Sequence, residues 1–144
     1  MEKQRVLFVC VHNSARSQMA EAFLTSLGGE RFETFSAGLT PGTLNQDVVR
    51  VMKEIGIDIS GNRTKGINEL LKEGKEFDVA VMVCDESHAG LCPVIPGVRK
   101  QLHWSIEDPS GVAGSEEVKQ EKIREIRDQI RKRVILLIEE LSGT

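Results

Sequence analysis

Two hydrophobic rhythms alternate along the chain. Residues 5–10 (RVLFVC) are almost continuously apolar and β-rich, the pattern of a strand buried on both faces. Residues 17–27 carry Ala20, Phe23, Leu24 and Leu27, the i, i+3, i+4, i+7 stripe of a helix, with Gly28 and Gly29 as natural stops. Residues 31–36 (RFETFS) alternate like a short strand. Asn45 predicts the N-cap of a helix bearing Val48, Val49, Met52 and Ile55 and ended by Gly56. Residues 67–73 predict a further short helix, residues 78–83 (DVAVMV) a second buried strand, and residues 99–104 a weaker one. Segments 84–97 and 105–114 read as loops. The clearest element is the last helix, where Ile123, Ile126, Ile130, Val134, Leu137 and Leu141 recur at spacings of three and four. Glu116 and Glu117 suit its positive N-terminal end.

Strands alternating with helices imply an α/β three-layer sandwich: a four-stranded parallel sheet flanked by helices, with the first and third strands as the central pair. With 144 residues, no linker and no internal repeat, a single domain spanning 1–144 is expected. Ligands of such sheets bind beyond the carboxyl ends of the strands. Cys10 ends the first strand, Ser36 the second, Cys84 follows the third, and Asp108 lies in the loop after the fourth. If the strands are parallel, all four converge on one rim.

Composition narrows the chemistry. The net charge of −3 gives no global positive field for nucleic acid or an acidic membrane surface. No apolar run approaches the ~20 residues of a membrane span, and no signal-peptide pattern opens the chain. The expected location is the cytoplasm and the expected state a monomer. Three cysteines make an odd count, with no C-x-x-C pair and no zinc spacing, so neither a metal nor a cofactor is expected. In a reducing compartment such thiols are either inert core residues or redox groups. His12, His88 and His103 read as spacer, loop and strand-end residues, and Trp104 as packing at the sheet edge.

The segment Cys10-Val11-His12-Asn13-Ser14-Ala15-Arg16-Ser17 has the form C-x5-R-S between a buried strand and an amphipathic helix. Such a turn aims successive backbone N–H groups at one point and forms an anion nest at a helix N-terminus. Arg16 adds an always-charged fork suited to two oxyanion oxygens, and the same field favours a thiolate at Cys10. Nucleophile and anion then share one cradle. The competing reading is a core thiol beside a solvated arginine, and the strand–loop–helix context weighs against it.

These residues resemble the low-molecular-weight tyrosine phosphatase superfamily, and within it the thioredoxin-coupled arsenate reductase branch. The resemblance runs through SQMAE (17–21), SAG (36–38), GIDIS (56–60), the Cys84…Cys92-Pro93 segment and HW…DP (103–109). It implies that Asp108 is the general acid, with Glu107 as a nearby fallback; on its own, Asp108-Pro109 also suits an ordinary turn. It further implies a relay. Cys10 attacks arsenate, Cys84 attacks the Cys10 sulfur and releases arsenite, and Cys92 moves the disulfide to Cys84–Cys92 for thioredoxin or another thiol carrier to reduce. Each disulfide requires Cα atoms about 4.4–6.8 Å apart. Seven residues separate Cys84 from Cys92 (85–91), one more than in known members of that branch. Some members hold potassium beside the loop through an Asn, a Glu, a Ser and an Asp. Asn13, Glu21 and Ser36 match three of these, while Lys65 stands near the fourth and implies an ammonium in place of the ion. Two rival readings remain: a tyrosine phosphatase working through a Cys10 phosphoenzyme, and a non-enzymatic oxyanion-binding or redox-sensing module. The chain contains no tyrosine to hold a phosphotyrosine ring, which favours a small inorganic oxyanion.

Overall fold

The structure, a computed structural model, describes residues 3–13, 15–74, 76–84, 95, 97–109 and 113–142, with Cys84 described by its backbone alone. Its elements are β1 (Gln4–Cys10), α1 (Arg16–Gly28), a 3-10 turn (Gly29–Arg31), β2 (Phe32–Gly38), α2 (Gln46–Lys53), α3 (Ile67–Lys72), β3 (Val79–Cys84), β4 (Lys100–Ser105) and α4 (Glu116–Ser142). The four strands form one parallel sheet in the order β2-β1-β3-β4, so β1 and β3 are the central pair as expected.

The continuous apolar runs of β1 and β3 split by parity onto the two faces of the sheet. Val6, Phe8, Val79, Val81 and Val83 meet α1, α2 and α4 in the larger core, while Leu7, Val9, Ala80 and Met82 meet Ile67 and Leu70 of α3. Both faces being covered is what permits strands with no polar side. Trp104 on the edge strand is buried and packs its ring against Phe8, with centroids 5.7 Å apart. Ile106 belongs to the same core, so the segment leaving β4 is anchored on both sides of Ser105.

Asn45 caps α2 as expected, its side-chain oxygen accepting from the N–H groups of Asp47 and Val48. Gly56 closes the helix in the left-handed conformation (φ 82°). Its N–H bonds to the Lys53 carbonyl, and the Ile57 N–H reaches back to Met52. Two expected core positions are corrected. Leu27 and Ile55 are exposed. At the end of α1 it is Gly28 that faces Phe32, so closely that a Cβ there would lie 2.5 Å from the ring. In α2 the buried stripe is Val48, Val51 and Met52, because the helix turns out before Ile55. The second strand also runs further than expected, to Gly38, and the third and fourth each shift one residue later, to Val79–Cys84 and Lys100–Ser105.

That extension sets the geometry of the rim. Gly38 stands opposite Cys10, and an isolated parallel bridge joins it to Gly66 on its other side. A Cβ on Gly38 would sit 2.7 Å from the Asn13 nitrogen and 2.7 Å from the His12 carbonyl carbon. The chain following Cys10 is thus pressed against a residue with no side chain. Gly38→Ala should therefore push the 11–13 backbone aside and cost about 1–3 kcal/mol, the range for overpacking a closed site. Urea unfolding midpoints of the two proteins read this directly.

Candidate active site

The loop after β1 is clamped from outside. The carbonyls of Cys10, Val11 and His12 accept from the N–H groups of Leu39 (3.1 Å), Thr40 (2.9 Å) and Gly42 (3.0 Å). A trans peptide holds its N–H opposite its carbonyl, so the N–H groups of Val11, His12 and Asn13 turn away from that clamp. Asn13 adopts a left-handed conformation (φ 55°), which asparagine tolerates better than most residues. Its N–H then reaches the Cys10 sulfur at 3.2 Å. His12 is more than a spacer: its Nδ1 lies 2.9 Å from the Thr40 carbonyl and tightens the same clamp.

The polarity of the site follows from one backbone group. The Lys65 N–H, which is always a donor, bonds to Asn13 Oδ1 at 2.9 Å. The other end of that amide, Nδ2, therefore donates to Ser17 Oγ at 2.7 Å. Ser17 Oγ, which accepts from Asn13, lies 2.9 Å from Cys10 Sγ and has its own hydroxyl proton to offer the sulfur. The sulfur is thus within reach of two donors, the Asn13 N–H and the Ser17 hydroxyl. Cys10, Asn13, Arg16 and Ser17 are all buried.

Arg16 begins α1 and is 3% exposed. A guanidinium so desolvated needs fixed partners. Its Nη1 donates to the Ile106 carbonyl at 2.9 Å, and its Nη2 lies 3.6 Å from Asp108 Oδ2. Because Ile106 is core-anchored, the segment after β4 carries both Asp108 and the arginine's support to the Cys10 rim. Glu107 points elsewhere, pairing with Lys122 of α4 at 3.6 Å. Cys84 closes β3 with its backbone beside Ser105. Ser14, Cys92 and segment 85–94 lie outside the described residues.

The supporting residues divide into two groups. Asn13 belongs to the Cys10 network. Ser36 instead donates to Glu21 Oε1 at 2.7 Å, level with Phe8 and below the rim. Lys65 serves the first group through its backbone, its ammonium reaching the Arg63 carbonyl at 3.1 Å. Burial raises the Glu21 pKa, and the Ser36 hydrogen bond and the Lys65 charge pull it back only in part. This donor set does not fit a potassium ion: Asn13 Oδ1 already accepts from Lys65 and from Gln18 Nε2 (3.0 Å), and a lysine charge stands near the carboxylate. Sequence reasoning missed Gln18, which is fully buried in the first turn of α1 and bonded to Asn13. In the sequence it stands among other polar residues of that turn, Arg16 and Ser17, and nothing in the pattern sets it apart.

Residues 5–144 match the low molecular weight phosphotyrosine protein phosphatase family. The chain belongs to that family. Among its relatives, the arsenate reductase of Halalkalibacterium halodurans is 38% identical over 93% of this chain and 94% of its own length. A solved arsenate reductase in the phosphate binding state superposes with a TM-score of 0.76 at 34% identity, covering 95% of this chain and 98% of that one. A Corynebacterium glutamicum thioredoxin-dependent arsenate reductase gives 0.73 at 29% identity over 97% of this chain and 62% of its own. Within this family member, no described helix is long and apolar enough to cross a membrane.

Two outcomes follow. Ser17→Ala removes one of the two donors to Cys10 and should slow iodoacetamide alkylation of that thiol at pH 7 by about tenfold, the scale of one hydrogen bond to a charged group. Quantifying labelled Cys10 by peptide mass spectrometry tests this, and an unchanged rate would refute the Ser17 hydroxyl as a donor that activates Cys10. For Glu21, a raised folded pKa means its stabilising contribution is present below the ordinary value of 4.5 and is lost as pH rises through the folded value. Relative to wild type, Glu21→Gln should therefore gain stability between pH 4.5 and pH 7.5. Urea midpoints at both pH values would show it, and a pH-independent difference would contradict it.

Proposed function

We propose that this chain reduces arsenate to arsenite as a single-domain, cytoplasmic, thiol-dependent enzyme. The observation that carries the reading is the Cys10 sulfur held as an acceptor by Asn13 and Ser17, on the rim that also bears Arg16 and Asp108. Its arsenate reductase relatives, one of them thioredoxin-dependent, support the choice of substrate and reductant.

The Cys10 thiolate attacks arsenic while the anion rests against Arg16 and the loop N–H groups. An As–S bond forms and one As–O bond breaks, and Asp108 supplies the proton with which that oxygen leaves as water. The Cys84 thiolate next attacks the Cys10 sulfur. The S–As electron pair passes to arsenic, which falls from the +5 to the +3 state and departs as arsenite. Cys92 then attacks Cys84, frees Cys10 as thiolate and leaves a Cys84–Cys92 disulfide, which a thioredoxin-type dithiol reduces. Two thiols supply the two electrons, so no metal or other cofactor enters the balance. The Arg16–Asp108 contact also serves catalysis by keeping the acid beside the anion clamp until substrate takes Arg16.

Arsenate-dependent NADPH oxidation, coupled through thioredoxin and its reductase, tests this. Asp108→Asn should lower turnover by about 10²–10⁴-fold, the range for losing a general acid. Cys84→Ser should abolish turnover, and Cys92→Ser should stop after one cycle with a Cys10–Cys84 disulfide visible by non-reducing peptide mapping. Sustained turnover by Cys92→Ser would remove the third thiol from the pathway. Hydrolysis of an aryl phosphate that survives loss of Cys84 and Cys92, without arsenate reduction by wild type, would make the protein a phosphatase.

A further inference from the structure

The Gln18 side chain is fully buried, yet it touches neither the sulfur nor the anion clamp. Its Nε2 faces three acceptors: the Asn13 carbonyl at 3.1 Å, Asn13 Oδ1 at 3.0 Å and the Arg63 carbonyl at 3.2 Å. Its Oε1 accepts from Asn62 Nδ2 at 3.0 Å. The two ends of an amide have nearly the same shape, so partners alone decide which end points where. Three oxygens on one side and an N–H donor on the other leave one orientation. Gln18 thereby grips both the main chain and the side chain of Asn13, the residue held at φ 55°. A non-glycine residue there costs roughly 1–2 kcal/mol and persists only where its surroundings over-determine it.

We propose that Gln18 and Asn62 are positioning residues for Cys10: Asn62, reaching in from the 54–66 segment, braces the Gln18 amide in the orientation the Asn13 and Arg63 carbonyls require, and Gln18 fixes Asn13 and through it the donors on the sulfur. Asn13 sends its N–H to Cys10 and its Nδ2 to Ser17, so tilting Asn13 loosens both donors at once. A segment outside the C-x5-R loop thus sets the reactivity of the nucleophile. The inference stands on the anion loop and not on arsenate being its substrate.

Asn62 is the better handle, because the residue is exposed and its replacement leaves the core intact. Asn62→Asp sets an acceptor against Gln18 Oε1 and favours the flipped amide, whose oxygen then faces the three carbonyl-type acceptors. Asn62→Ala removes the donor. Asn62→His offers an imidazole N–H from a similar position and is the conservative rescue. Gln18→Glu, of the same shape but without donors, is the harsh control. The measurements are the rate of Cys10 alkylation by iodoacetamide and the inorganic phosphate concentration that half-protects Cys10, each alongside a urea midpoint.

Asn62→Asp should slow alkylation and raise the half-protecting phosphate concentration, each by about tenfold, the scale of one lost buried hydrogen bond. Asn62→Ala should fall between, and Asn62→His should lie within about threefold of wild type. A purely structural role would move the urea midpoint while leaving both Cys10 measurements of the folded protein unchanged. Alkylation and protection within twofold of wild type for Asn62→Asp and Asn62→Ala would overturn the proposal. Failure of phosphate to protect wild-type Cys10 would sink the anion-cradle reading instead, while the alkylation rates would still decide the positioning role.

Discussion

The hydrogen bond from the Lys65 backbone N–H to Asn13 Oδ1 is the constraint on which the site depends. A backbone N–H cannot reverse its role, so it settles the orientation of the Asn13 amide. That orientation makes Ser17 Oγ an acceptor of the Asn13 amide and leaves its hydroxyl proton to offer the Cys10 sulfur. A chain of side chains that each have two possible polarities becomes directional because one end is tied to main chain. Buried networks of this kind are effective only when every member is satisfied, and no described buried side-chain nitrogen or oxygen lacks a partner.

The fold delivers that donor through close approach. Gly38 lets β2 run alongside Cys10, and its N–H bonds to the Lys65 carbonyl at 2.7 Å. The peptide group between Lys65 and its neighbours is thus fixed by the outer edge of β2. Two parallel strands and one bridge hold the loop after β1 from one flank, while the segment after β4 holds Arg16 from the other. Trp104 and Ile106 make the second flank rigid by burying themselves against Phe8 and α4. The hydrophobic core therefore acts on catalysis through position: it places one carbonyl, that of Ile106, where a buried guanidinium needs it.

Charge is handled by the same economy. Away from the rim, Arg127 of α4 is another buried cation, and α2 and the residue that caps it provide for it with the Val51 carbonyl at 2.9 Å and Glu54 at 3.1 Å. Among the described residues, Glu21 has the Ser36 hydroxyl and a nearby lysine to offset its burial, and burial outweighs them, raising its pKa. In a family named for phosphotyrosine phosphatases, with arsenate reductases among this chain's relatives, the Asn13 side-chain oxygen is taken here by the Lys65 N–H and by Gln18.

The sequence by itself determined the sheet and most of the chemistry. The double-sided apolar runs at β1 and β3 demanded a covered parallel sheet. C-x5-R-S between strand and helix named Cys10 and Arg16, the strand order put Cys84 and Asp108 toward the same rim, and the resemblance gave these two and Cys92 their roles. Only the tertiary structure decided how those groups are held. The Lys65 N–H, the Ile106 and Thr40 carbonyls and the Arg63 carbonyl are main-chain groups that carry no residue identity, so no pattern of letters marks them. Gln18 reads as an ordinary helix residue until the 54–66 segment arrives beside it. Leu27 and Ile55 fitted a helical stripe, yet helix ends and a Gly28–Phe32 contact left them in solvent. Periodicity reports which face of an element is apolar. Which backbone groups converge on one sulfur depends on contacts between residues far apart in the chain, and those exist only once the layers have packed.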